Sequence, residues 1–271
     1  MDKVAFQGER GAFSEDAVIS FFDEAEFITC RNLRDVFEAV MQCNVEFGVA
    51  PAENSQAGSI NETYDLLLEY PLNIFGEVNL RVHHYLMALR GSRLEDITIV
   101  YSHPHALAQC DKFLKKLNVE LIPAYNTAGA AKKIKEEELY RYAAIANRRT
   151  AEIYGLDILA EEIESNPDNY TKFFVICREK AKKSMHSKTS LVFSVKNAAG
   201  TLYASLGAFA SRGINLTKLE SRPSKNKPWE YVFYVDFEGH IEDKDCREAI
   251  IELENNASFV KILGSYPSAQ V

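Results

Sequence analysis

A chain of 271 residues with 46% hydrophobic and 26% charged content is long enough for about two globular domains with sizeable cores. Its formal net charge of −8 offers no electrostatic footprint for nucleic acid or for an anionic lipid surface, so neither is expected as a partner. No stretch reaches the apolar length of a membrane span, and the opening MDKVAFQGERGAFSED lacks the basic and apolar regions of a signal peptide; cysteines 30, 43, 110, 177 and 246 show neither CxxC nor metal-ligand spacing, so a cytoplasmic protein with buried or idle thiols is expected.

From the N-terminus to about residue 177 one grammar repeats: a short apolar strand, a polar loop, then an amphipathic helix opened by a capping residue. VAFQG (4–8) leads to a helix expected to be capped at Ser14, with Glu15 and Asp16 in its acidic first turn. A helix capped at Asn32 carries Leu33, Val36, Phe37 and Val40 on one face. FGVAPAENS (47–55) leads to Ser59, Ile60, Asn61 and Glu62, which read as a capping box, and Pro71 stops the helix that follows. Strands at 72–78 and 80–89 carry the crossing between two lobes. ITIVY (97–101) is followed by Ser102, read as a cap, with Pro104 in the first turn. VELIPAY (119–125) leads to Asn126 and Thr127, and YAAIA (142–146) leads to Asn147 and a helix that Gly155 ends.

That alternation predicts an α/β layer fold, in which ligands sit beyond the carboxyl ends of strands. Several helix N-termini gather there with unsatisfied N–H groups, so the expected ligand is a small molecule rich in carboxylates.

Residues 179–187 read as a basic, exposed linker. Beyond it come strands at 189–195 and 214–222 with a Gly200-led helix between them. A polar turn at 224–228, a strand at 230–237, a helix through Ala249, Ile250 and Leu253, and a last strand at 259–266 complete a ferredoxin-like βαββαβ order. No internal sequence repeat is visible.

The loops also carry an ordered set of motifs: FQGERGAFSE (6–15), VAPAENSQAGSI (49–60), SHPHALAQC (102–110), NTAGAA (126–131), AAIANRRTAEIYGL (143–156) and NYTKF (169–173), followed by AGTLY (199–203) and ESRP (220–223). Over nearly its whole length the chain resembles prephenate dehydratase fused to a C-terminal ACT regulatory domain. The resemblance implies an α/β catalytic domain at 1–178, two-lobed and periplasmic-binding-protein-like (type II), with lobe crossings near 78–82 and 160–170. It also implies an ACT domain at 188–271, pairing with its copy in a homodimer or homotetramer. The implied activity is that of a carbon–oxygen lyase converting prephenate to phenylpyruvate in phenylalanine biosynthesis, without metal or organic cofactor, under feedback by L-phenylalanine. Arogenate dehydratase, or a non-catalytic phenylalanine-sensing protein of the same architecture, are the alternatives.

By the same resemblance Thr171 and Lys172 are the expected catalytic residues. Thr171 would be a positioned donor toward the departing hydroxyl; Lys172 stands where the family carries an arginine that grips a carboxylate, supplying its charge without its planar fork. A β-branched strand residue and a solvated lysine are the plain structural readings of the pair. Ser14, Asn54, Ser55, Ser102, Gln109 and Thr127 are the expected substrate contacts, with helix capping as the simpler role for Ser14, Ser102 and Thr127. Glu53 either contacts substrate or holds its loop. His83, His84, His103 and His105 are expected to be structural. In the second domain Gly200, Thr201, Leu202, Asn215, Glu220, Ser221 and Arg222 are expected at the effector site, with glycine allowing close approach at residue 200.

Overall fold

The computed structural model describes residues 1–224 and 231–269. The chain opens with β1 (Asp2–Gln7), α1 (Phe13–Phe21), β2 (Ala25–Cys30), α2 (Leu33–Met41), β3 (Phe47–Asn54), β4 (Gly58–Ser59), α3 (Asn61–Glu69) and β5 (Asn73–Arg81). It continues with β6 (Tyr85–Ala88), β7 (Ile99–Ser102), α4 (Pro104–Gln109), α5 (Asp111–Leu114), β8 (Glu120–Pro123), α6 (Thr127–Glu136), β9 (Tyr142–Ala146), α7 (Arg148–Tyr154), β10 (Asp157–Ala160) and β11 (Tyr170–Cys177). The last run holds β12 (Ser187–Ser194), α8 (Thr201–Ala210), β13 (Leu216–Pro223), β14 (Tyr231–Glu238), α9 (Lys244–Asn256) and β15 (Phe259–Pro267).

The chain divides into two compact units, one of Met1–Thr63 with Val78–Phe173, the other of Tyr64–Glu77 with Phe174–Val271. The first holds two α/β lobes. One sheet has the order β2-β1-β3-β11-β5, its strands β5 and β11 continuing into the second unit, and the other has the order β10-β6-β9-β7-β8. Read from β8, the second order becomes β8-β7-β9-β6-β10, which repeats the first. In each sheet a strand entering from the other lobe's side of the chain, β11 or β6, inserts beside the third strand. The lobes therefore repeat each other in topology although no repeat is visible in the sequence. This is the two-lobed α/β arrangement expected.

Burial explains the strands. Val4, Ala5 and Phe6 of β1 are fully buried in succession, the continuous apolar run of a parallel strand covered on both faces. In β6 the pleat divides the core: Tyr85 and Met87 join Ala130, Ala131 and Ile134 of α6, while Leu86 and Ala88 join Cys110 and Leu114 on the other face. On α2, Leu33, Val36, Phe37 and Val40 are buried, and the Asn32 side chain accepts from the Asp35 N–H at 2.8 Å.

Several expected helix starts are corrected. The first helix begins at Phe13 with Ala12 at the cap position, so Ser14 lies inside it. Ser59 belongs to β4, paired with Glu53, and α3 starts at Asn61, two residues beyond the expected cap. Asn126, not Thr127, caps α6, and His103, not Ser102, caps α4. β2 and β10 are strands that the sequence pattern did not announce. Of the five cysteines, Cys110, Cys177 and Cys246 are buried, Cys30 is half-buried and Cys43 is exposed.

In the second unit the sheet β13-β14-β12-β15 is antiparallel throughout, with α8 and α9 packed on it: the βαββαβ order expected. Leu191, Phe193, Phe209, Val235, Phe237 and Leu253 centre its core. The expected turn at 224–228 lies beyond the described residues except for Ser224. The linker is not wholly solvated: Ala181 is buried and Lys183 pairs with Asp243. Residues of α3 and β5 are integral to this unit. The Tyr64 ring packs edge-on to Tyr234 with centroids 5.0 Å apart, Lys188 pairs with the fully buried Glu77 at 2.6 Å, and Arg222 pairs with Asp65 at 3.1 Å.

Candidate active site

A cavity of about 530 Å³ lies between the two lobes of the first unit. The ends of the strands that the sheets aim at it supply its lining: Gln7 of β1, Asn54 of β3, Arg31 just past β2 and Asn126 just past β8. First turns of helices supply Phe13 and Ser14 of α1, His105 and Ala106 of α4, and Thr127 of α6, so three helix starts border one hollow. Gly129, in the first turn of α6, lets the Tyr125 ring lie directly on that turn, where any Cβ would collide with it.

At the centre is a short network built on β3 and β11. The Asn54 side-chain oxygen accepts the N–H groups of Gln56 and Ala57, both at 3.0 Å, which orients the amide. Its nitrogen then faces Asn169 Oδ1 at 2.9 Å and Thr171 Oγ1 at 3.0 Å. With its oxygen accepting from Asn54, the Thr171 hydroxyl keeps its own proton for an acceptor in the cavity.

The pleat of β11 sorts its residues. Thr171 and Phe173 both line the cavity, so Lys172 between them faces the other way, and its Nζ lies 3.4 Å from Glu53 Oε2. Lys172 is thus displaced from the expected site, its charge met by Glu53. Ser102 is also displaced: it is fully buried, and its hydroxyl donates to the Ile145 carbonyl at 2.7 Å. Ser55 bridges the strands instead, accepting from the Tyr170 N–H at 2.9 Å. Ser14, Asn54, Gln109, Thr127 and Thr171 do come together around the hollow.

Arg31, which no motif marks, and three of the four histidines expected to be structural also belong to the lining. His84, His103 and His105 all line the cavity. His84 Nε2 lies 2.8 Å from Gln109 Oε1, and Glu164 holds the pair beside it, accepting from the His84 N–H at 3.0 Å with its other oxygen 2.8 Å from His83 Nδ1. Burial pushes the His84 ring below the ordinary histidine range, and burial followed by the neighbouring His105 does the same to His103, so both are neutral near pH 7. The signal was in the loops: His103 and His105 flank a helix start at a strand end, where the fold directs ligands. No carboxylate is among the lining residues, and Arg31 is the fixed charge there among the described residues.

The lobes are tied beside this cavity through the loop after β1, by its Glu9 side chain and by two of its backbone carbonyls. Glu9 accepts from the Tyr125 hydroxyl at 2.8 Å and from Lys132 at 2.9 Å. Burial raises the Tyr125 hydroxyl, the bond to Glu9 adds to this, and together they carry it to about 12. Thr150 donates to the Gly11 carbonyl at 2.8 Å, and Tyr154 to that of Arg10 at 3.1 Å.

In the second unit, Gly200 has φ +85° and opens α8; Thr201 donates to the Lys196 carbonyl at 2.8 Å; Leu202 packs on the core. Glu220, Ser221 and Arg222 lie toward one end of β13, with Asn215 just outside the other. Glu220 pairs with Lys218 at 3.1 Å, and the Arg222 guanidinium lies 5.6 Å from the centre of the Tyr234 ring.

The family description "Prephenate dehydratase" matches residues 4–181, and "ACT domain" matches residues 189–255. The chain is 44% identical over 276 residues to arogenate dehydratase/prephenate dehydratase 2, chloroplastic, of Arabidopsis thaliana, covering 98% of this chain and 72% of that protein. It superposes with TM-score 0.90 and 31% identity on the solved prephenate dehydratase of Arthrobacter aurescens in complex with L-Phe, covering 98% of this chain and 89% of that one. It superposes equally well, at TM-score 0.90 and 33% identity with 98% of both chains covered, on GqqA, described as a novel type of quorum quenching acylase. With its paired-lobe α/β architecture, its Asn54–Thr171 centre and matches spanning nearly the full length, the chain belongs to the prephenate dehydratase family and carries a C-terminal ACT domain.

Proposed function

We propose that the chain is a prephenate dehydratase, converting prephenate to phenylpyruvate with loss of carbon dioxide and water. The observation that carries this is the Thr171 hydroxyl, whose oxygen accepts from Asn54 while its proton is left for a ligand. Prephenate presents two carboxylates and a ring hydroxyl. When the ring carboxylate leaves as carbon dioxide, its bonding electrons enter the ring, the ring becomes aromatic, and the C–O bond to the hydroxyl breaks. The oxygen departs as hydroxide and needs a proton to become water. Thr171 donates a hydrogen bond to that oxygen as negative charge gathers on it; a threonine is too weak an acid to give up its proton unaided, so it acts as positioned donor and relay from solvent. Ser14, Thr127 and the helix N-termini orient the dianion.

Prephenate is favoured over arogenate because the latter carries an ammonium where prephenate has a keto oxygen. The lining offers such an ammonium no carboxylate among the described residues. Measured specificity constants should favour prephenate.

The ACT domain is proposed to bind L-phenylalanine as feedback effector near Gly200, Thr201, Leu202, Asn215, Glu220, Ser221 and Arg222, in a cytoplasmic homodimer or homotetramer, with a catalytic domain at 1–178 and a regulatory one at 188–271. No described helix is long and apolar enough to cross a membrane.

The test is phenylpyruvate formation from prephenate. Thr171→Ala should lower kcat by at least about 100-fold, and Thr171→Ser should retain most of it. A Thr171→Ala enzyme of unchanged kcat would refute this site.

A further inference from the structure

We propose that Arg31, rather than the motif lysine Lys172, is the residue of this chain that grips a substrate carboxylate. The inference rests on the reading of the ligand as a dicarboxylate, and it adds a residue that no motif marks. Arg31 follows β2 at its carboxyl end and lines the cavity. Its backbone is held on both sides: Gly8 donates to the Cys30 carbonyl at 2.9 Å, and Asn32 caps α2. The guanidinium itself makes no hydrogen bond and no ion pair with the described residues. It is a planar, permanently charged fork available for two parallel bonds to one carboxylate.

Lys172 is differently placed. It occupies the face of β11 away from Thr171 and Phe173, and Glu53 meets its charge at 3.4 Å. Drawing it to a ligand would leave the Glu53 carboxylate without that partner, and β11 would have to turn over at that residue. The other lining groups donate hydrogen bonds but carry no fixed positive charge, and a dianion entering a half-enclosed hollow without a cation would lose hydration uncompensated. Arg31 supplies what the cavity otherwise lacks.

Steady-state kinetics of the full chain with prephenate, paired with calorimetric binding of prephenate on a Thr171→Ala background so that the titrated ligand is not consumed, test this. Arg31→Gln should raise KM and Kd by about 10- to 100-fold while kcat changes by less than about 3-fold, and Arg31→Lys should recover part of the loss because charge returns without the fork. Lys172→Gln should leave KM within about 3-fold of the parent, and the salt dependence of Kd should flatten in Arg31→Gln. Unchanged KM and Kd in Arg31→Gln, or the large rise appearing in Lys172→Gln instead, would overturn the assignment. A parent chain that binds prephenate but forms no phenylpyruvate would refute the proposed reaction while the binding arm still decides the role of Arg31.

Discussion

The Asn54 amide has its oxygen committed to two backbone N–H groups and its nitrogen turned to Thr171, and the donor direction of the whole centre follows from that order. Asn54→Asp keeps the two accepting interactions but reverses the third, because a carboxylate accepts only. The Thr171 proton should then turn toward residue 54 instead of the ligand. The expected result is a kcat reduced by about 100-fold or more with little change in thermal midpoint, measured side by side by turnover and calorimetric melting. A fully active Asn54→Asp enzyme would break the argument. Asn54 and Thr171 were singled out in the sequence through the motifs VAPAENS and NYTKF, since a lone threonine in a strand has an ordinary structural reason to be there. Orientation was only partly legible. The two-residue pleat already places Lys172 opposite Thr171 and Phe173, a step available from the sequence. The burial of Ser102 depends on the Ile145 carbonyl, brought close by strand pairing 43 residues away, and no local pattern contains it.

Where α1 meets α7, a titratable group sits in the contact. Asp16 accepts from the Asn147 side chain, with Arg149 Nε 3.9 Å away and Glu15 and Glu152 near enough to repel it. Burial dominates, outweighing Arg149 and Asn147, and raises the carboxyl from about 3.8 to about 7. Between these values the folded chain binds a proton that the unfolded chain has released. Stability from this group is therefore fully present below about 3.8 and is lost as pH rises through about 7. Asp16→Asn, which keeps the accepting oxygen without titrating, should flatten that part of the profile and raise the melting temperature at pH 8. Parallel melting curves of parent and variant from pH 5 to pH 8 would count against it. Element by element, the long strands and capped helices were readable because each carries its own periodicity. β2 and β10 were not, since Ala25–Cys30 interleaves Glu26 and Thr29 with its apolar residues and Asp157–Ala160 is short and nowhere fully buried.

At the level of the whole chain, the second compact unit is assembled from two separated pieces of sequence. Linear reading places one boundary in the basic segment, because a composition shift is visible there, whereas the claim of 64–77 on the C-terminal sheet is made by tertiary contacts. Lys261 of β15 donates to the carbonyls of Leu67, Leu68 and Tyr70, at 2.7, 3.0 and 2.9 Å, satisfying groups that the end of α3 leaves open. Phe174 packs on Tyr266, and Tyr64 on Tyr234. A chain ended at residue 181 keeps α3 and the tail of β11 but strips these partners from them. It should melt well below the full chain and bind a hydrophobic dye that the full chain does not. An equal melting temperature for the shortened chain would contradict this.

The shared ownership of α3 has an evolutionary corollary. A sensor borrowed from another protein and spliced on behind residue 186 would meet a helix and half a strand fitted to the sheet it replaced. Successful chimeras in this family should therefore need two exchanged pieces, 64–77 travelling with the donor tail, and recombination in nature should leave a matching pair of breakpoints.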